Sequence, residues 1–280
     1  PLHGAQGPWR LKIEHRGGTT EAVLRAPTPR IDASMVATGA AALEVAARHG
    51  LPAPRLIDAD LQGAVTGVTT TLETLVPGST AWPAPPSAER LRTAGAVLAR
   101  LHEVAMAPRE HLPFRPRPVA VDDFASDRRN GRMPTTPLLE AADRLITALG
   151  SPPRGSVFVH GDLWPGNLIW TGGEIAALID WKTAGVGAPG VDVGGLRNSV
   201  AIMFGLEAPD HVLDGWERAS GTKASDIAYW DVVAALNTRT ELEARFWSIG
   251  GAPPPDGLDD VGATDRRDGF LRAALTNVGR

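Results

Sequence analysis

Residues 157–180 hold the pattern that most constrains what this chain can fold into. Three short apolar runs, Val157–Val159, Leu168–Trp170 and Ala176–Ile179, follow one another closely, with polar residues at their ends. Between the first two lies His160-Gly161-Asp162-Leu163-Trp164-Pro165-Gly166-Asn167, and the third gives way to Asp180-Trp181-Lys182. Apolar runs of this length read as short buried strands, so the polar segments between them are anchored at both ends. Pro165 and Gly166 bend the loop, which lets Asn167, five positions after Asp162, return its amide oxygen toward the carboxylate. Asp180 leaves a buried run with its backbone fixed and its carboxylate free to reach a cleft. Two hard oxygen donors with a second carboxylate nearby suit Mg²⁺, which keeps water and phosphate oxygens in its other positions. A polar hairpin turn capped by Asp162 and Asn167 is the plain structural alternative.

The rest of the chain narrows the setting. With 280 residues, 43% of them apolar, and a formal charge of −4, it has the makings of an ordered chain with a sizeable core in one or two domains. The near balance of charge argues against a nucleic-acid partner. Cysteine is absent, which excludes disulfides, iron–sulfur clusters, thiolate zinc sites and a cysteine nucleophile. No apolar run reaches the roughly 18 residues of a membrane-spanning helix, so no membrane partner is expected.

Local patterning divides the chain in two. Trp9, Leu11 and Ile13 alternate with Arg10, Lys12 and Glu14, and Gly17-Gly18 leads into Glu21–Arg25, a predicted β-hairpin. Ala33–His49 has helical composition and stops at Gly50 and Pro52. Arg55–Ile57 and Val68–Leu72 read as strands, and the cluster Val76-Pro77-Gly78-Ser79 then marks the best boundary. Beyond it the helical period takes over: Leu91, Ala94, Leu98, Leu101 and His102 share one face of a helix predicted over Ala88–Ala105. Pro108–Pro118 reads as a loop, Leu138–Leu149 as a helix ended by Ser151-Pro152-Pro153, and the part from Val191 as mainly helical with a Pro/Gly loop at Gly250–Gly257. His102 reads as a packed histidine, His160 as a brace for its loop, and Arg115, Arg117, Arg128, Arg129 and Arg132 as a solvated basic stretch.

The spacing His160-x-Asp162-x-x-x-x-Asn167 with a later Asp180 resembles a kinase catalytic loop and its metal-binding Asp. Gly161 between His and Asp, and Trp181-Lys182 after Asp180, resemble the small-molecule branch: the aminoglycoside phosphotransferase and choline kinase family. Val97–His102, Gly50–Pro54 and Val76-Pro77-Gly78 are further matches, and the resemblance covers about residues 9–200. It implies an α+β, two-lobed protein-kinase-like fold, with a small β-rich lobe over residues 1–76 and a larger, mainly helical lobe over residues 77–280. It implies ATP and Mg²⁺ as cofactors, a small hydroxylated acceptor and a cytoplasmic location. By the same resemblance Asp162 orients and deprotonates the acceptor hydroxyl, and Asn167 and Asp180 hold the magnesium ions. Glu73 to Leu75 lie at the hinge beside adenine, and Arg25 grips the nucleotide where the family commonly has Lys. Asp192 resembles a later acidic position of structural character.

Two departures and one asymmetry complete the expectations. The helix position where the family places a Glu to pair with Arg25 is Ala40, with Glu44 one turn later as the substitute. The family places a helix and a strand before the hairpin, so the start of the nucleotide lobe is expected to be missing or displaced, with Gly4 and Gly7 as the end of a nucleotide loop. Ala201–Asp260 carries eleven Asp or Glu against four Lys or Arg, which makes Asp226, Asp231, Glu241 and Glu243 candidates for receiving a cationic acceptor. An aminoglycoside or other amine-bearing sugar is the first expectation. A macrolide, another metabolite, a nucleotide-binding pseudokinase and a metal-dependent phosphohydrolase are the alternatives.

Overall fold

The computed structural model describes residues 7–83, 85–152, 156–249, 254 and 257–278. Gly4, Pro153 and most of the Gly250–Gly257 loop lie outside them. The predicted hairpin is formed by Trp9–His15 (β1) and Gly18–Arg25 (β2), and Leu56–Asp60 (β3) and Thr70–Thr74 (β4) complete an antiparallel sheet in the order β1-β2-β4-β3. β3 and β4 sit about two residues later than the apolar runs imply. The Asp60 carboxylate accepts the amides of Ala64, Val65 and Thr66 at 2.8 Å, and the Thr66 hydroxyl donates to the Val68 carbonyl at 2.6 Å, which draws Val68 into the turn. The helix Ala33–Arg48 (α1) starts where the Asp32 carboxylate accepts the Met35 amide at 2.9 Å.

Helices dominate after the sheet. Ala88–His102 (α2), capped by Ser87, packs most extensively on Ala208–Ser220 (α6), and two glycines let these helices touch. A Cβ on Gly95 would lie 1.9 Å from the Val212 carbonyl oxygen, and one on Gly215 would lie 2.0 Å from that of Arg92. Phe124–Arg129 (α3), Pro137–Leu149 (α4), Gly190–Phe204 (α5), Ile227–Leu236 (α7) and Asp260–Asn277 (α8) make up the remainder. The basic stretch is not uniformly solvated: Arg128 is buried, and its guanidinium donates to the carbonyls of Leu236 and Thr238 at the end of α7. It satisfies backbone acceptors that the helix leaves open.

The three apolar runs become Val157–Val159 (β5), Leu168–Thr171 (β6) and Glu174–Leu178 (β7). β6 and β7 pair as a hairpin, while β5 pairs with Gly185–Gly187 (β8). Leu98 of α2, Phe158, Leu168 and Leu178 are all at 0% exposure, so the core runs directly beneath the polar loop. Truncating one such leucine to alanine costs roughly 2–5 kcal/mol, which is the packing that holds the loop's ends in place. Among the described residues no helix is long and apolar enough to cross a membrane.

Candidate active site

The loop between β5 and β6 is fixed from below by one carboxylate. Asp192, near the start of α5, accepts the His160 amide at 2.8 Å on Oδ2 and the Gly161 amide at 2.8 Å on Oδ1. The Trp216 indole donates to His102 Nδ1 at 3.0 Å, so the other ring nitrogen of His102 carries the proton that meets Asp192 at 3.2 Å. His102 is thus a packed residue, one link from the loop. Gly161 has a φ of +79°, and a Cβ there would lie 2.4 Å from the Thr183 carbonyl oxygen, so this position requires glycine.

His160 braces the loop from above. Its Nε2 donates to the Ile179 carbonyl at 2.9 Å, and its Nδ1 accepts the Asp162 amide at 3.3 Å. Burial pushes its imidazolium pKa down, which suits this neutral tautomer. Asn167 donates from Nδ2 to the Asp162 carbonyl at 2.8 Å, and its amide oxygen takes no hydrogen bond from the described residues. Asp180 follows β7 with φ 69° and ψ 55°, a left-handed conformation that Asp tolerates better than most residues.

Around Asp162 and Asp180 the structure gathers two cations. Lys182 Nζ lies 2.9 Å from Asp162 Oδ2 and 2.5 Å from Asp180 Oδ2. Arg25 Nη1 reaches Asp180 Oδ1 at 3.1 Å, while its Nε lies 2.7 Å from Glu73 Oε1. Burial alone would raise the Asp180 pKa, but Lys182 and then Arg25 outweigh it and hold the carboxylate far below its usual range. Burial opposes the Lys182 charge in the same way, and Asp162 and Asp180 together push that ammonium pKa up. Arg25 is held charged by Glu73 and Asp180 against the same desolvation.

Of these groups Arg25, Glu73 and Asp180 line a cavity of about 450 Å³, and Asp162 and Lys182 adjoin it through Asp180. Asn167 and Asp180 line it, Val23, Ile169 and Ile179 supply apolar walls, and Leu75 and Val76 form an edge. Arg245, Phe246, Ser248 and Ile249 also line it. That segment is tethered by bonds from the Leu242 amide to Thr264 Oγ1 at 3.0 Å and from the Ala244 amide to Asp260 Oδ1 at 2.7 Å. Trp247 meets Trp164 of the polar loop edge to face, with ring centroids 6.5 Å apart. No periodicity in residues 244–249 announces this role, which depends on packing against Ile202 of α5, Ala263 of α8 and Trp164 of the polar loop.

Several expected site residues stand elsewhere. Glu44 is exposed on α1, and the partner of Arg25 is Glu73 on β4, whose side chain turns into the site instead of offering only hinge backbone. Asp231 is buried against Arg197, with Nη2 to Oδ2 at 3.0 Å, so it presents no charge to a ligand. Asp226 lines a separate cavity that contains none of Asp162, Asn167 or Asp180. Glu241 is exposed, and Glu243 is taken by Arg245 at 2.5 Å. The excess of acid after Ala201 therefore does not converge on Asp162. Besides Asp180, the Asp162 charge reaches Asp122, whose carboxyl pKa is raised by burial, lowered by Arg239 and raised again by Asp162.

Comparison with known proteins agrees with this architecture. Among curated protein sequences none matches the chain. Solved structures do share its fold. Macrolide 2'-phosphotransferase MphH from Brachybacterium faecium is 18% identical, over 97% of this chain and 89% of that one, with a TM-score of 0.56. An aminoglycoside-3'-phosphotransferase of type VIII is 19% identical, over 82% and 89%, with a TM-score of 0.57. The amicoumacin kinase hAmiN, in complex with AMP-PNP and Ca²⁺, is 12% identical over 95% and 85%, with a TM-score of 0.60. The small antiparallel sheet and larger helical part thus form a protein-kinase-like phosphotransferase fold. The model of the phosphotransferase enzyme family matches residues 4–236, and on that match the chain belongs to this family.

Proposed function

We propose that this phosphotransferase moves the γ-phosphoryl group of ATP to a hydroxyl of a small amine-bearing molecule, with the division between its lobes near Val76. The observation that carries the reading is the approach of Asp162 to Asp180: both touch Lys182 Nζ, at 2.9 and 2.5 Å, and Asp180 lines the 450 Å³ cavity. An acceptor held by Asp162 would then face the phosphate end of a bound nucleotide, which is the positioning that in-line transfer needs. Asp162 Oδ1 takes no hydrogen bond from the described residues, so it is available to an acceptor hydroxyl and its proton. The apolar walls Val23, Ile169 and Ile179 suit a planar base, with Leu75 and Val76 along its edge.

The donor set fits magnesium. Asp180 and the free amide oxygen of Asn167 are hard oxygen ligands, and they would hold the ion together with phosphate oxygens and water. When bound, Mg²⁺ neutralises charge on the β- and γ-phosphates. Arg25, locked by Glu73, presents a guanidinium that does not lose its charge on that side of the cavity. Dependence on ATP fits a cytoplasmic location. An amine on the acceptor is supported by the likeness to an aminoglycoside-3'-phosphotransferase. Aminoglycosides are the first class to try, with macrolides, amino alcohols and neutral polyols as the contrast.

The test is a panel of these acceptors with Mg-ATP, reading ADP formation and the phosphorylated product. We expect ADP release that depends on the acceptor and is greatest with amine-bearing compounds. ATP binding with no transfer to any acceptor would mark a pseudokinase. Phosphate release from phosphorylated compounds without ATP would mark a phosphohydrolase. Either result overturns the proposal.

A further inference from the structure

One ammonium spans the two carboxylates between which phosphoryl transfer would take place. With the acceptor hydroxyl on Asp162 and the phosphate end of the nucleotide at Asp180, the transferred group lies between them. Lys182 Nζ is bonded to both, to Asp162 Oδ2 at 2.9 Å and to Asp180 Oδ2 at 2.5 Å. An atom in contact with both carboxylates stands within a few ångströms of that group. An ammonium has three N–H donors. Two are spent on the carboxylates, and the third has no partner among the described residues. The side chain is 21% exposed, so a ligand can reach it.

The chain holds this charge in place from behind. Lys182 is the middle residue of a 3₁₀ turn whose flanking residues, Trp181 and Thr183, are both buried. The Trp181 ring stacks on Phe158 with centroids 5.5 Å apart, and its indole donates to the Leu178 carbonyl at 2.9 Å. The lysine stem borders a small space lined by Met35, Val36 and Gly39 of α1. The ammonium is therefore positioned before any ligand enters, and a fixed donor of this kind needs no reorganisation when charge develops beside it.

Electrostatics give the third donor its partner. A phosphoryl group that approaches Asp162 brings negative charge toward a carboxylate, and a cation at the point of approach offsets the repulsion. Arg25 is committed elsewhere, with Nε on Glu73 and Nη1 on Asp180. Among the described residues Lys182 is the cation bonded to Asp162. It leaves room for the metal ion that Asp180 and Asn167 would share. A carboxylate offers about four acceptor positions, of which Arg25 takes one on Asp180 Oδ1 and Lys182 one on Oδ2, and the Asn167 amide oxygen is unpaired.

We infer, on the nucleotide reading given above, that the third N–H of Lys182 donates to the γ-phosphoryl group and stays on it during transfer. In that step the acceptor oxygen bonds to phosphorus as its proton passes to Asp162 Oδ1. The bond from phosphorus to the bridging oxygen breaks, and its electron pair leaves on ADP. Lys182 gives up no proton and remains an ammonium throughout, placed between the charge of the phosphoryl group and that of Asp162.

Titration calorimetry with Mg-ADP and Mg-AMP-PNP tests the contact, because the two ligands differ by the γ-phosphoryl group and the ratio of their Kd values isolates what touches it. Lys182→Met and Lys182→Gln, each checked for native circular dichroism, should weaken AMP-PNP relative to ADP by roughly 10–100-fold, the worth of one hydrogen bond to a charged group. Lys182→Arg keeps a cation there and should stay within about threefold of the parent ratio. Either neutral variant suffices if the other does not fold. A ratio that moves by less than about tenfold in a folded neutral variant overturns the inference and leaves the nucleotide reading standing. Equal weakening of both ligands would then show that Lys182 acts only through Asp180, and no weakening of either that it only ties two segments together. Absence of binding of both nucleotides to the parent overturns the nucleotide reading, and this inference with it.

Discussion

Two clusters in this molecule pair carboxylates with cations, and they differ in what is left over. In the helical part, Arg197 and Asp231 form a closed pair: Nε meets Oδ1 at 3.0 Å, Nη2 meets Oδ2 at 3.0 Å, and Nη1 donates to the Pro209 carbonyl at 2.7 Å. Their side chains are 8% and 5% exposed. In the cleft, Arg25, Asp162, Asp180 and Lys182 are 18–26% exposed, and each Asp180 oxygen answers to a cation from a different segment. Asp162 keeps one oxygen free. The helical pair has its strong hydrogen-bonding capacity consumed, so it can only hold the fold. The cleft cluster retains the Asp162 acceptor, with the unpaired amide oxygen of Asn167 on the adjoining cavity wall, so it can still bind and react. Spare capacity, more than charge, separates the two.

That contrast is sharpest at Asp162. Asp162→Asn keeps the size of the side chain and an oxygen for Lys182, but removes the proton acceptor. We expect turnover to fall by roughly 10²–10⁴-fold, the usual contribution of a positioned general base, with ATP affinity within about twofold of the parent. Denaturation midpoints should barely move. A loss of less than about tenfold in turnover would remove Asp162 from the reaction and break the comparison at its active end.

The opposite outcome belongs to Asp231. Asp231→Ala leaves the buried Arg197 guanidinium with only the exposed Asp210 carboxylate, 3.5 Å from Nη1, a loss that costs up to roughly 3–5 kcal/mol in comparable sites. Urea unfolding should read this as an earlier midpoint, while the fraction still folded transfers phosphate at the parent rate with an unchanged acceptor KM. A raised KM at unchanged stability would return Asp231 to the acceptor site that its sequence position first implied.

Why Asp162 stands beside Asp180 as its spacing implies, while Asp231 stands away from both, follows from what local sequence carries. The His160–Asn167 loop, its flanking strands and Asp180 lie within 24 residues, and their spacing alone brings them together. A charge excess over Ala201–Asp260 states how many carboxylates there are and nothing about where they point. The partner of Asp231 lies 34 positions earlier on α5. The same limit explains Glu44. Helical spacing proposes a partner for Arg25 on α1, but strand register decides the matter: Val23 pairs with Glu73 and Arg25 with Thr71, so Arg25 and Glu73 are diagonal neighbours on β2 and β4. Lys182 was visible as part of the motif after Asp180, yet its reach back to Asp162 needs the 3₁₀ turn at Trp181–Thr183, which no periodicity encodes.

The smallest effect we expect concerns a third carboxylate, which tests whether full occupancy alone excludes a part in the chemistry. Asp60 ends β3, and its oxygens are occupied by the amides of Ala64, Val65 and Thr66. The Thr66 and Val65 amides lead in holding its pKa down to about 2 against a usual value of 3.8. A carboxylate with a lowered folded pKa gives its stabilisation in full above the unfolded value and loses it as pH falls toward the folded one. Asp60→Asn should therefore lower Tm at pH 7 by a few degrees, roughly 2–4 °C, through the loosened β3–β4 turn. The gap between parent and variant should begin to close below about pH 4, as the unfolded parent chain takes up its proton first. A gap that stayed constant from pH 7 to pH 3 would mean that the amides do not hold the charged form. Turnover at 25 °C should be unchanged, because no oxygen of Asp60 remains to meet a ligand. A turnover defect larger than the loss of folded protein would show that a saturated carboxylate can still serve the reaction, and spare capacity would then fail as the mark of the site.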